Sequence, residues 1–136
     1  MATLFSRIID GELPGHFVYA DPEVVGFLTI APLNPGHTLV VPRAEVDQWT
    51  DAPAPLQAKL MEVAAIIGRG VKSAFAAPRA GLIIAGFEVP HLHLHVFPAW
   101  AEKDFSFANA KPAEQSDLAA AAAKLREALG TGQVQP

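Results

Sequence analysis

The residues best suited to chemistry are His91, His93 and His95, which alternate with Leu92, Leu94 and Val96. Alternation with period two marks a half-buried β-strand, on which residues i, i+2 and i+4 share one side. The three imidazoles therefore form one row, about 6.5–7 Å apart along the chain. The leucines and the valine face the other side, toward apolar packing. Burying such a row without partners is costly, which argues that it is kept for a reaction. Three uses compete. A structural row of core histidines is the plainest, but three in strict alternation exceed what packing needs. A metal site could use two adjacent rings, with His37 and Glu45 as further ligands. Three strand histidines in a line cannot all reach one ion at a bond length of about 2.1 Å, so the expectation is no metal and no cofactor.

The third use is covalent catalysis. A neutral imidazole is nucleophilic near pH 7, because its ordinary pKa is about 6.5. It can attack phosphorus and split one displacement into two easier steps. Flanking imidazoles, protonated or donating an N–H, stabilise the charge spread over the phosphoryl oxygens. His93, in the middle, has a neighbouring imidazole on each side.

Composition narrows the field. The chain has 136 residues, 51% of them hydrophobic, enough for one domain with a real core. That domain is expected over residues 3–130, with a flexible tail over 131–136. A net charge of −4 gives no electrostatic footprint for nucleic acid. The absence of cysteine excludes disulfides, thiolate nucleophiles and cysteine zinc sites. No apolar run reaches membrane-spanning length. The first seven residues lack the basic start, apolar run and cleavage site of a signal peptide, so a cytoplasmic protein is expected.

The remaining chain supplies elements to hold the row. Thr3 can cap a short helix with apolar Leu4, Phe5, Ile8 and Ile9. Strands over 16–20 and 24–30 should pair as a hairpin through Asp21-Pro22. Pro32 and Pro35 separate them from a third strand over 37–42, with His37 on the side of Leu39 and Val41. A connection over 43–54 has Trp49 as its expected anchor. Leu56, Leu60, Val63, Ile67, Val71 and Phe75 form one apolar helical face, which Gly68 and Gly70 weaken by about 1 kcal/mol each. The unbroken hydrophobicity of 81–85 suggests a fourth strand covered on both faces, and the fifth runs over 89–97. Residues 98–112 have no clear periodicity. Leu118, Ala122, Leu125 and Leu129 define a last helix, with Ser116 as its cap and Gly130 as its stop. His16 is expected at the surface.

The run His91-Leu92-His93-Leu94-His95-Val96-Phe97 resembles the signature of the histidine-triad family. Two further blocks resemble the same family: Phe5-Ser6-Arg7-Ile8-Ile9-Asp10-Gly11-Glu12-Leu13-Pro14 and Asn34-Pro35-Gly36-His37-Thr38-Leu39-Val40-Val41-Pro42. The resemblance implies an α+β fold with a five-stranded antiparallel sheet, a long central helix and a C-terminal helix, assembled as a homodimer. It implies metal-free hydrolysis or transfer at the α-phosphate of a nucleoside monophosphate conjugate, such as a phosphoramidate, through a nucleotidyl-histidine intermediate. It assigns the nucleophile to His93, phosphate and leaving-group binding to His95, orientation of the nucleophile to His91, and a place beside the triad to His37. Leu4, Phe5, Ile8, Phe27 and Ile30 would line an apolar slot for the base, and Thr29 and Val89 would complete the nucleotide site. Thr29 stands where many members have an aspartate for the ribose. Phe87-Glu88 replaces residues that offer donors to phosphate, Glu45 replaces another histidine, and Ser6 replaces a cysteine that some members use for zinc. Two alternatives stay open: a dinucleoside polyphosphate hydrolase, and a nucleotide-binding regulatory protein with vestigial turnover.

Overall fold

The structure is a computed structural model and describes residues 2–136. A short helix α1 (Leu4–Ile9) leads into β1 (Phe17–Ala20), β2 (Val24–Leu28) and β3 (Thr38–Pro42). The long helix α2 (Ala54–Phe75), then β4 (Arg79–Ile83), β5 (Leu94–Ala99) and α3 (Gln115–Leu129) follow. The strands form one antiparallel sheet in the order β1-β2-β3-β5-β4, the α+β architecture expected. No helix of the described residues is long and apolar enough to cross a membrane.

Period-two alternation sorts the side chains into two layers. Val24, Leu28, Val40, Leu94 and Val96 face α2 and α3, where they pack with Leu60, Val63, Ile67, Val71, Leu118 and Leu125. Val25, Phe27, Leu39 and Val41 face the other way and pack with Phe5 of α1. Two glycines let elements approach: a Cβ on Gly26 would lie 2.8 Å from Ile67 Cδ1, and one on Gly70 would lie 2.6 Å from Leu129 Cδ2. Close packing thus outweighs the helix propensity lost at Gly70, and α2 runs unbroken through both glycines to Ala76, whose left-handed φ of 52° ends it.

Several expectations need correction. The fifth strand begins at Leu94, not at residue 89. Pro90 has no N–H to give a ladder, and Leu92 N–H donates to Val46 O in the connection at 2.6 Å instead. His37 likewise precedes its strand, which starts at Thr38. The fourth strand is a sheet edge, paired with β5 alone among the described strands, and Leu82 (39%) and Ile84 (38%) stay exposed. Its apolar run is therefore not covered on both faces within one chain. Trp49 is half exposed in a 3₁₀ turn, and the small Ala52 is the buried residue there. Glu114, not Ser116, is the N-cap residue of α3. Over 131–136, the Thr131 hydroxyl donates to Val18 O at 3.0 Å and Val134 packs against the Phe5 cluster.

Candidate active site

Leu92, Leu94 and Val96 belong to the core beneath the sheet, so the alternating histidines turn to the α1 face. The row is deeply set: His91 is fully buried and His93 is 6% exposed. Burial on that face is supplied by Phe5, whose ring meets His91 at 5.7 Å and His93 at 4.9 Å, both edge-on.

Acceptor-only partners fix the imidazole tautomers. His91 Nε2 lies 2.7 Å from Pro42 O, so this nitrogen carries the proton and donates it. His93 Nδ1 lies 2.7 Å from His91 O and likewise donates. The Nε2 of neutral His93 is therefore left as a bare lone pair, without a hydrogen-bond partner among the described residues. A second chain sets the adjacent ring. Leu33 N–H donates to His37 Nδ1 at 3.0 Å. His37 must then carry its proton on Nε2, which donates to His95 Nδ1 at 2.9 Å. His95 is left with an N–H on Nε2. A nucleophilic lone pair and a fixed donor thus stand on rings whose centroids are 4.9 Å apart.

Burial disfavours the charged forms of His37, His93 and His95. Desolvation, then the nearby His95 and His93, pushes His37 down to about 3. Desolvation, then His93, pushes His95 down to about 4. Desolvation also holds His93 below the ordinary imidazole range, although its bond to His91 and the charge of Glu88 act the other way. The flanking role foreseen for a protonated or a donating imidazole falls to a donating one.

A cavity of about 370 Å³ opens over His37, His93 and His95, lined also by Thr29, Ala31, Ala85, Gly86, Phe87, Glu88, Phe107 and Ala110. His91 stands behind it. Of the seven residues expected to hold the nucleotide, Thr29 lines this cavity, and its hydroxyl accepts from Ala31 N–H at 3.3 Å. Phe5 and Phe27 are buried in the apolar cluster on the histidines' own face of the sheet, with Ile8 and Val89 half-buried against it. Leu4 (45%) and Ile30 (69%) are exposed. Sequence reasoning missed Phe107, which leans on the His95 ring at 4.8 Å. The cue was an aromatic pair, Phe105 and Phe107, in a stretch without periodicity. Among the described residues no group of three or more histidine, aspartate or glutamate side chains is placed to hold a metal ion.

Residues 10–102 match the family profile described as HIT domain. An uncharacterized HIT-like protein of Borreliella burgdorferi is 33% identical over 111 residues, 76% of this chain and 80% of its own. The purine nucleoside phosphoramidase of Escherichia coli K12 is 33% identical over 104 residues, 69% of this chain and 84% of its own. Among solved structures, a hypothetical histidine triad nucleotide-binding protein from Sulfolobus tokodaii superposes with a TM-score of 0.78 at 30% identity, covering 93% of this chain and 91% of its own.

Proposed function

This chain belongs to the histidine-triad (HIT) family, and on that premise we propose that it is an enzyme that cleaves nucleoside monophosphate conjugates, phosphoramidates above all, through a nucleotidyl intermediate on His93. The observation that carries this reading is the paired geometry of a bare His93 Nε2 and a donating His95 Nε2 at one cavity. The lone pair attacks the α-phosphorus, a bond from Nε2 to phosphorus forms, and the bond to the leaving amine breaks. The amine departs with the electron pair and takes a proton from water. The positive charge that grows on the His93 ring is met by His91 O, which already accepts from Nδ1. His95 donates to a phosphoryl oxygen. Its chain of bonds ends at a backbone amide, Leu33 N–H, which gives up no proton, so His95 works as a fixed donor and not as a proton relay. Water then attacks phosphorus, releases the nucleotide and restores the ring.

Charge favours a monophosphate conjugate over a dinucleoside polyphosphate. Among the described residues no lysine or arginine lines the cavity, and Glu88 is its one carboxylate. Each extra phosphate would meet repulsion without a compensating cation. The kinship with the E. coli phosphoramidase supports the same choice. The assay is release of AMP or GMP from a fluorogenic nucleoside phosphoramidate, beside hydrolysis of a diadenosine polyphosphate. Faster turnover of the phosphoramidate is expected. Binding of both without release would favour the regulatory alternative, and preference for the polyphosphate would favour the other hydrolase.

The working unit is proposed to be a homodimer. Leu82 and Ile84 of the β4 edge region lie exposed with Met61 of α2, and an open strand edge with apolar side chains invites pairing. A stable two-fold contact buries over about 1,200 Å² in total. Light scattering at micromolar concentration is expected to give twice the chain mass; a mass of one chain would contradict the dimer.

A further inference from the structure

Thr3, Ser6 and Glu45, none of which lines the cavity, form a cluster that ends on the triad. Glu45 Oε2 accepts from Thr3 N–H at 2.8 Å and from the Ser6 hydroxyl at 2.7 Å. Thr3 Oγ1 accepts from Ser6 N–H at 3.1 Å, capping α1. The single hydroxyl proton of Thr3 has two possible acceptors: Ser6 Oγ at 3.2 Å and His91 Nδ1 at 2.6 Å. The shorter contact decides. His91 Nδ1 is bare, because Nε2 donates to Pro42 O, so Thr3 donates to it. His91 O in turn holds His93 Nδ1–H at 2.7 Å. A continuous series of hydrogen bonds thus runs from a surface carboxylate to the nucleophile. The helix that Thr3 caps carries Phe5, whose ring closes edge-on over His93 at 4.9 Å.

We propose that Glu45, Ser6 and Thr3 are positioning residues: they clasp α1 to His91 and thereby hold the His93 ring in its attacking orientation and tautomer. Thr3 clamps the His91 ring from one side while Pro42 O holds it from the other, so the residue whose carbonyl aims His93 cannot rotate. Glu45 secures the clamp from outside by accepting from both Thr3 and Ser6. The hydroxyl matters in this scheme, whereas the bulk of Thr3 does not.

This inference rests on His93 being the nucleophile, and its test separates the two. Thr3→Val keeps the shape and removes the hydroxyl; Thr3→Ser restores it. With a nucleoside phosphoramidate, Thr3→Val is expected to lose kcat by about 10²-fold, as a displaced nucleophile does, with KM little changed, and Thr3→Ser is expected to recover most of the loss. Glu45→Ala should show a smaller loss of the same kind. Nitrogen-15 NMR of the histidine rings reads the clasp without any turnover. His93 should be the Nδ1–H form in the wild type and should average between tautomers in Thr3→Val. Wild-type kcat in Thr3→Val, or an unaltered His93 tautomer in that variant, would overturn the proposal. A wild-type protein without turnover but with the NMR change would count against the functional reading and leave the clasp supported.

Discussion

His93→Ala is expected to lower turnover of a nucleoside phosphoramidate by several orders of magnitude while nucleotide binding persists. The loss is this large because the substitution removes the attacking atom, and nothing nearby can replace it. His95 presents a proton to the cavity, not a lone pair, since its Nδ1 is occupied by His37. Both nitrogens of His91 are engaged, one by Pro42 O and the other by Thr3. Knocking out a covalent nucleophile leaves only binding and electrostatic stabilisation. Because His93 is buried under Phe5, the variant also loses stability. The cavity left behind and the orphaned His91 carbonyl should cost about 1–3 kcal/mol. Steady-state rates taken well below the melting transition, together with AMP binding by calorimetry, separate that cost from the loss of chemistry. Turnover within tenfold of wild type would contradict the assignment.

His95→Ala is expected to cost about 10²–10³-fold in kcat, the worth of one preorganised donor aimed at developing charge. It should be the milder of the two, because the lone pair on His93 survives. The size of the effect depends on His95 acting as a neutral donor, which its depressed pKa of about 4 ensures at neutral pH. Its removal leaves buried His37 without an acceptor for Nε2–H, at a cost of about 1–3 kcal/mol. A rate loss equal to that of His93→Ala would mean that His95 carries the covalent step. A loss of less than tenfold would mean that its N–H does not meet the phosphoryl group.

The elements were legible in the sequence because burial here follows simple periods. The 3.6 period of Leu60, Val63, Ile67 and Val71 and the alternation of Leu92, Leu94 and Val96 translate directly into the core cluster. The histidine side of that alternation was legible as one face, but its depth was not. A period of two says which residues share a side, while Phe5, more than eighty positions upstream, decides that the side is covered. The same holds for the Thr3 to His91 bond, which joins residues 88 positions apart, and for Glu45 to Ser6, 39 apart. Tautomers depend on such partners, so the roles that the resemblance assigns to His93 and His95 were legible, while the hydrogen bonds that fix a lone pair on one and an N–H on the other had to wait for the fold. The edge position of β4 was hidden for another reason: its unbroken apolar run reads the same whether a helix, a strand or a second chain covers it.

The central claim is a covalent bond between His93 and the nucleotide. The direct measurement is to mix enzyme with a nucleoside phosphoramidate, quench in base, where phosphorus–histidine bonds persist, digest, and weigh the peptides. Wild type is expected to carry one nucleoside monophosphate on the peptide containing 91–95, with fragmentation placing it on His93, and His93→Ala is expected to carry none. An adduct on His91 or His95, or product formation by His93→Ala at the wild-type rate, would contradict the account.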